Sequence, residues 1–446
     1  MTTSFDVFFK DLVSKVGVSH ERDLAEGELR GIISAINEYF YTTHNDIGTT
    51  RTLDEEFAYF SEFHKFWEKY HEKILNPEIG EEKCSQLANI LNDINIATSG
   101  KAFNELYDTF ELQPEEICKI RYFAANQDFR GSRDFEVLFQ KYSDDPTVFD
   151  KEKIRSAPED FLKSIGITSL SQNDKRVKFA TTAARMLIEK GIEPFKIFNF
   201  FEKDLLRVRE FLTSNRGSGF GNKKTDMFIR DMVVLGIWQD PANFDKIDVA
   251  SDINTIKVAL RTGILRTKIP LVSSFLDIFC YQYGLIDRTN ALAWRKVWEK
   301  WQQKHPATCI ASPALIDYFV YRVIGKDFCK ESLCIFKCES EEHTFVWHSS
   351  RNKTCQICRN KKAELIKKVL PCTHDNGDVV IKKSKFVSGS DALLPKITQC
   401  PFVSICNPQS HFFSALNPPK SISILGQTGW ESARTLKDFG GGGLMS

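Results

Sequence analysis

The stretch Asn215-Arg216-Gly217-Ser218-Gly219-Phe220-Gly221-Asn222-Lys223-Lys224 decides how this chain is read. Upstream, residues 203 to 213 read as one helix, with Leu205, Leu206, Val208, Phe211 and Leu212 apolar. Downstream, residues 222 to 236 read as the next helix. The glycines between them predict a hairpin turn from Asn215 to Gly221. Gly217, Gly219 and Gly221 allow such a turn to approach DNA closely, and the backbone N–H groups opening the second helix suit a phosphate. Lys224 adds positive charge there.

Further outward lies Val249-Ala250-Ser251-Asp252-Ile253-Asn254-Thr255-Ile256-Lys257-Val258-Ala259-Leu260-Arg261-Thr262-Gly263-Ile264. The two stretches together resemble the helix-hairpin-helix DNA glycosylase superfamily, in its lysine-containing bifunctional form. That family carries a G-x-G-x-K turn, then a helix start bearing an aspartate. The resemblance implies Lys223 as nucleophile and Asp252 as the catalytic carboxylate; Asp248 competes, but the register of Val258-Ala259 and Gly263 favours Asp252. The chain departs from the pattern at Gly217-Ser218 (Leu-Pro in the family), at Ala250-Ser251 (Pro-Val) and at Asn254 (frequently His).

These residue types match the chemistry. A lysine amine attacks the anomeric carbon of deoxyribose only when neutral, and a free lysine has a pKa of about 10.4. Burial and nearby positive charge lower that value, and Lys224, the helix amino terminus and Arg230 are candidates for doing so. Asp252 would stabilise positive charge on the sugar or help deprotonate the lysine. The resulting imine permits β-elimination, so the resemblance implies strand-nicking lyase activity as well. The bland alternative makes Lys223 a solvated phosphate-binding lysine and Asp252 a helix cap.

An enzyme of this kind must also fill the gap left by a flipped base. Ala125-Asn126-Gln127-Asp128 follows the apolar run Ile120 to Phe123, roughly where the family carries polar wedge residues, which nominates Asn126 and Gln127 as DNA contacts. Capping of a helix by Asn126 or Asp128 competes with that role.

Bulk properties agree without naming a function. The chain has 446 residues, enough for two or three domains, and 42% apolar residues, enough for real cores. Lys+Arg 60 against Asp+Glu 59 leaves a net charge of +1, so positive charge for nucleic acid would have to sit on one face. The amino terminus lacks a signal-peptide pattern, and the apolar-looking Ile269 to Ile286 is broken by Asp277. The expectation is a chain with no membrane partner, cytoplasmic and nucleoid-associated if bacterial. Three regions are expected: a helical amino-terminal region over 1–115, a helix-hairpin-helix glycosylase core over 116–325, and a cysteine-rich region over 326–446 with a glycine-rich tail. The fold class is therefore mainly α. In the first region Phe57, Tyr59, Phe60, Phe63, Phe66, Trp67 and Tyr70 have helical spacing and read as core.

Eight of the 12 cysteines fall between Cys329 and Cys406, which in a large chain with no export signal suggests metal ligation. Cys338, His343, Cys355 and Cys358 look like a small zinc ribbon around Phe345 and Trp347, with His348 as an alternative ligand. Gly325-Lys326-Asp327-Phe328-Cys329 and Cys400-Pro401 through Cys406 resemble the start and end of the iron–sulfur loop of many glycosylases in this superfamily. The resemblance implies a [4Fe-4S] cluster on Cys329, Cys400 and Cys406, with Cys334 or Cys372 as the fourth ligand; a second zinc is the competing occupant. Either site reads as structural.

Taken together, the sequence predicts an enzyme that excises a modified or damaged base from double-stranded DNA. Its size and added regions resemble anti-phage glycosylases that remove glucosylated hydroxymethylcytosine. The reading from another class is a non-catalytic DNA-binding protein using the hairpin and the zinc ribbon.

Overall fold

The computed structural model describes Val7 and residues 49–53, 56–60, 77–107, 109, 111–128, 135–167, 173–266, 283–329, 333–339, 344–347, 354–355, 361–369 and 400–406. It is mainly helical, with a few short strands. Helices of nine residues or more are α1 (Glu81–Ala97), α2 (Pro114–Asn126), α3 (Phe135–Asp144), α4 (Asn173–Lys190), α5 (Leu205–Thr213), α6 (Asn222–Val234), α7 (Ile253–Thr262) and α8 (Tyr283–Lys304). A ten-residue π-helix spans Phe319–Phe328. The strands are β1 (Thr49–Leu53), β2 (Glu56–Phe60), β3 (Glu78–Ile79), β4 (Leu265–Arg266), β5 (Leu333–Cys338), β6 (Thr344–Trp347) and β7 (Ala363–Val369).

One expectation needs correction. Phe57, Tyr59 and Phe60 do not lie on a helix: they stand on β2, which pairs antiparallel with β1 from Thr49↔Phe60 to Leu53↔Glu56. Threonines and aromatics crowd these two runs, and such side chains favour an extended, pleated backbone over the helical one their spacing suggested. Phe63, Phe66, Trp67 and Tyr70 lie outside the described residues.

The chain forms two compact units that are interleaved in sequence. The first gathers residues 1–98, 251–306 and 319–446; the second gathers 99–250 and 307–318. In the first unit α1 packs along α8. Leu87, Leu91, Trp294, Val297 and Trp301 are buried there, and the Trp301 indole donates to Asn92 Oδ1 at 3.2 Å. Glu81, at the start of α1, pairs with Lys296 and Lys300 at 3.3 and 3.2 Å. Helix α7 packs on the π-helix, and β3 pairs with β4.

The second unit is built around aromatic rings. Tyr122 from α2 lies 5.0 Å from Phe220, and Phe228 on α6 meets Trp238 edge-on at 5.4 Å. Phe198 stacks on the same indole at 5.2 Å. Pro114 occupies the first turn of helix α2, while Gln113 and Glu116 form a reciprocal capping box.

The cysteine-rich segment contributes a three-stranded antiparallel sheet in the order β6-β5-β7. Among the described residues no helix is long and apolar enough to cross a membrane.

Candidate functional site

The hairpin forms as its sequence dictates. Asp204 caps α5 through Leu206 N, and the helix ends at Thr213. Asn215 Oδ1 then accepts from Gly217 N at 3.0 Å, an Asx-turn, and Ser218 Oγ donates to Asn215 O at 2.7 Å. Buried Phe220 anchors the far side of the turn among Tyr122 and Phe228. Across the two helices, Arg209 forms a two-pronged pair with buried Asp226, at 2.6 and 3.1 Å.

The three glycines differ in what they do. Gly219 has φ +77°, and a Cβ there would meet the Phe179 ring at 2.6 Å and Asn126 O at 2.9 Å. Gly217 would meet Asn215 Oδ1 at 3.1 Å. Gly221 is exposed, a Cβ added there would meet nothing within 4 Å, and it serves as N-cap of α6 without any side-chain cap. The opening of α6 therefore presents backbone donors unclaimed by a capping side chain, the arrangement that suits an anion.

Lys223 and Lys224 share that first turn but diverge. Lys223 is half-buried. Lys224 runs inward: its Nζ donates to Asn126 O at 3.0 Å and lies 5.4 Å above the Phe179 ring. Burial lowers its pKa to about 7; Asp128 opposes that shift, while Lys223, Arg176 and Lys175 add to it. The hairpin is thus joined to the end of α2, where both wedge candidates sit. Asn126 and Gln127 are 0% and 2% exposed. Gln127 exchanges hydrogen bonds with Arg176, its side-chain amide donating to Arg176 O at 3.2 Å and its backbone oxygen accepting from Arg176 Nη1 at 3.1 Å. No described group hydrogen-bonds the Asn126 side-chain amide.

Asp252 belongs to the first unit, Lys223 to the second. It is the N-cap of α7. Its Oδ1 accepts from Asn254 N and Thr255 N at 2.9 and 2.8 Å, and Thr255 Oγ1 accepts from Asp252 N, completing a capping box. Its Oδ2 accepts from Asn254 Nδ2 at 3.1 Å. Behind this turn Asn290 Nδ2 donates to Ser251 Oγ and Thr255 Oγ1, and Ser251 Oγ donates to Asp287. The capping role weighed from sequence is therefore present.

Sequence reasoning missed the buried ion network of the second unit. Asp231 accepts from Arg121, Arg230 and Tyr107, and Arg230 also pairs with Asp317. Arg230 is thereby engaged by two carboxylates, one of them shared with Arg121. No local pattern announces this cluster, because Arg121 and Asp231 stand 110 positions apart.

In the cysteine region Cys338 and Cys355 are buried in one cluster with Cys334 and Phe336, against Ala363 and Leu365. Cys338 pairs with Ala363 in the sheet, and Cys355 N donates to Lys361 O at 2.8 Å, so both thiols come to the same end of the β5–β7 ladder. His343 and Cys358 lie outside the described residues. Cys329 follows the π-helix and is buried, as is Cys400; Cys406 closes a tight turn through its N–H to Phe402 O, and Cys372 lies outside the described residues. Among the described residues there is no disulfide, and no group of three or more His, Cys, Asp or Glu is arranged to hold a metal ion.

Comparison of the chain with known protein families, with curated proteins and with solved structures found no match.

Proposed function

We propose that this protein is a DNA glycosylase with associated lyase activity, in which Lys223 is the nucleophile and Asp252 the assisting carboxylate. The observation that carries the reading is the hairpin: Gly219 wedged in a left-handed turn, followed by a helix with no side-chain cap and Lys223 in its first turn. Attack of the neutral Lys223 amine on the anomeric carbon breaks the bond to the base, which leaves with the bonding electrons. Transfer of the amine proton to the ring oxygen opens the sugar to an imine, and loss of a proton from the adjacent carbon expels the 3′ phosphate. Asp252 counters the positive charge that builds on the sugar. A role for Asn126 in meeting the base opposite the gap would require its amide, wholly buried here, to be uncovered when DNA binds.

The substrate proposed is duplex DNA carrying a modified base, with glucosylated hydroxymethylcytosine as the bulky candidate and phage defence as the setting. Zinc is proposed on the buried thiols Cys338 and Cys355 together with His343 and Cys358, where it would supply structural cross-linking of the small sheet. Cys329, Cys400 and Cys406, with Cys334 or Cys372 as the fourth ligand, are proposed to hold the [4Fe-4S] cluster or a second zinc.

A specific observation favours a second reading, a non-catalytic DNA-binding protein: both oxygens of Asp252 are engaged in its own helix cap. Borohydride trapping on duplexes containing uracil, 8-oxoguanine, thymine glycol, glucosylated hydroxymethylcytosine or an abasic site separates the two. A covalent adduct lost in Lys223→Gln supports the glycosylase; tight binding to every duplex with no adduct and no base release supports the binding protein. Efficient release of 8-oxoguanine with none of glucosylated hydroxymethylcytosine would remove the phage-defence setting.

A further inference from the structure

The turn that carries Asp252 is fixed from outside as well as from within. Two backbone donors hold its Oδ1, while Oδ2 is held by one side chain, the amide of Asn254 at 3.1 Å. Asn254 in turn rests directly on Gly325 of the π-helix. A Cβ on Gly325 would lie 2.7 Å from Asn254 Cβ, 3.6 Å from Asn254 C and 3.1 Å from Val320 O. Real Cβ atoms do not tolerate the first of these distances, so the two helices meet there at the closest approach that glycine alone permits. At the other end of α7, Arg261 Nη1 donates to the backbone oxygen of Cys329 at 3.1 Å. The segment Gly325–Cys329 therefore grips α7 at two points, and one of them is the residue that holds the free edge of the carboxylate.

We infer that Asn254 is a positioning residue for Asp252, and that Gly325, by admitting Asn254 against the π-helix, couples the cysteine-bearing segment to the orientation of that carboxylate. This rests on the glycosylase reading above and gives the cysteine region a task within the chemistry. Loss of the Asn254 amide leaves the cap intact, because the backbone donors to Oδ1 remain, but frees the plane of the carboxylate to turn. A carboxylate misaimed in this way slows the chemical step without weakening the grip on DNA.

Asn254→Ala is the informative variant. It removes the amide, keeps the Cβ that packs on Gly325, and introduces the best helix former. On a duplex that the wild type processes, kcat should fall about ten- to hundredfold. KM and thermal midpoint should stay close to wild type. Gly325→Ala should lower kcat as well, and Gly325→Ala combined with Asn254→Gly, which relieves the collision but lacks the amide, should not recover it. Recovery in that pair, or an unchanged kcat in Asn254→Ala, overturns the inference. A readout independent of turnover is the carboxyl carbon resonance of Asp252 in protein labelled at aspartate carboxyls, assigned by its loss in Asp252→Asn. It should move in Asn254→Ala and in Gly325→Ala; an unmoved signal in both overturns the inference even if no substrate is found. A wild type inert on every duplex, with a resonance that does move, removes the glycosylase reading and leaves the positioning contact standing.

Discussion

Lys224 reaches from the first turn of α6 to the last turn of α2, where its ammonium donates to the carbonyl of Asn126 at 3.0 Å. A residue that reads from sequence as a surface cation beside a phosphate is used instead as an internal tie. The tie carries a cost in charge burial, seen in a pKa lowered to about 7.

That pKa makes a prediction about alkaline stability. An unfolded lysine titrates near 10.4, so between about pH 7 and pH 10 the unfolded chain binds a proton that the folded chain does not. Stability contributed at this position therefore rises with pH across that window and is lowest below it. Against Lys224→Met, which does not titrate, the wild type should gain by up to about 1.4 kcal/mol per pH unit, the limit for one proton. Denaturant midpoints of both proteins across the window check this; parallel curves would reject it.

Gly219 and Gly221 should respond oppositely to the same change. Gly219→Ala places a methyl group against the Phe179 ring and Asn126 O at φ +77°, and should cost about 2 kcal/mol or more in folding stability. Gly221→Ala meets nothing within 4 Å and has φ −100°, so it should stay within about 0.5 kcal/mol of wild type. Thermal melts of the two variants side by side give the comparison.

Arg209 and Asp226 hold the hairpin helices together. Asp226→Asn should destabilise by about 2 kcal/mol, since a buried charge-assisted pair loses one partner. Arg209→Met should cost at least as much, because it strands the Asp226 carboxylate, only 4% exposed, without its partner. If the hairpin also grips DNA, both variants should weaken binding to unmodified duplex, measured by fluorescence anisotropy.

The ion network at Asp231 sets the acid limit. Burial pushes its carboxyl up, but Arg230 and Arg121 outweigh burial and hold it below the ordinary range. A depressed carboxylate contributes stability that is present above its unfolded value, about 3.9, and lost as pH falls below it. Acid unfolding of the wild type should therefore steepen below about pH 4, and Asp231→Asn should be less stable by about 3–5 kcal/mol at neutral pH while losing that steepening.

Metal content offers a direct check on the cysteine region. Elemental analysis of purified protein should find zinc, and Cys338→Ser and Cys355→Ser should each remove it. Chelation should abolish the β5–β7 sheet signal while leaving the helical circular dichroism largely intact. Zinc retained in both variants would remove Cys338 and Cys355 as ligands.

What the sequence made legible was local. The hairpin turn and the break between α5 and α6 follow from glycine and capping residues acting on their immediate neighbours. The cap at Asp252 was legible too, as the alternative to its catalytic role; its reciprocal partner Thr255 was not. What depended on distant partners was not. Lys224 turns inward because Phe179 and the end of α2 await it, and neither is nearby in sequence. The aromatics of β2 misled because their helical spacing and their β propensity disagree, and pairing with β1 chose between them.

The interleaving of the two units orders the chain in time. Cys84 and Asn92 on α1 reach their partners Ala293 and Trp301 on α8 only 209 positions later. During synthesis α1 therefore emerges with its apolar face uncovered and remains so until residues 99–250 of the second unit have been made. The second unit, mostly continuous from residue 99 to 250, has the opportunity to fold first as a block. The first unit then closes around a very long loop, an entropic penalty that grows only slowly with length but a search that is slow. Chaperone demand during expression, and sensitivity to truncations that remove Tyr283–Lys304, should thus fall on the α1–α8 pair rather than on the hairpin.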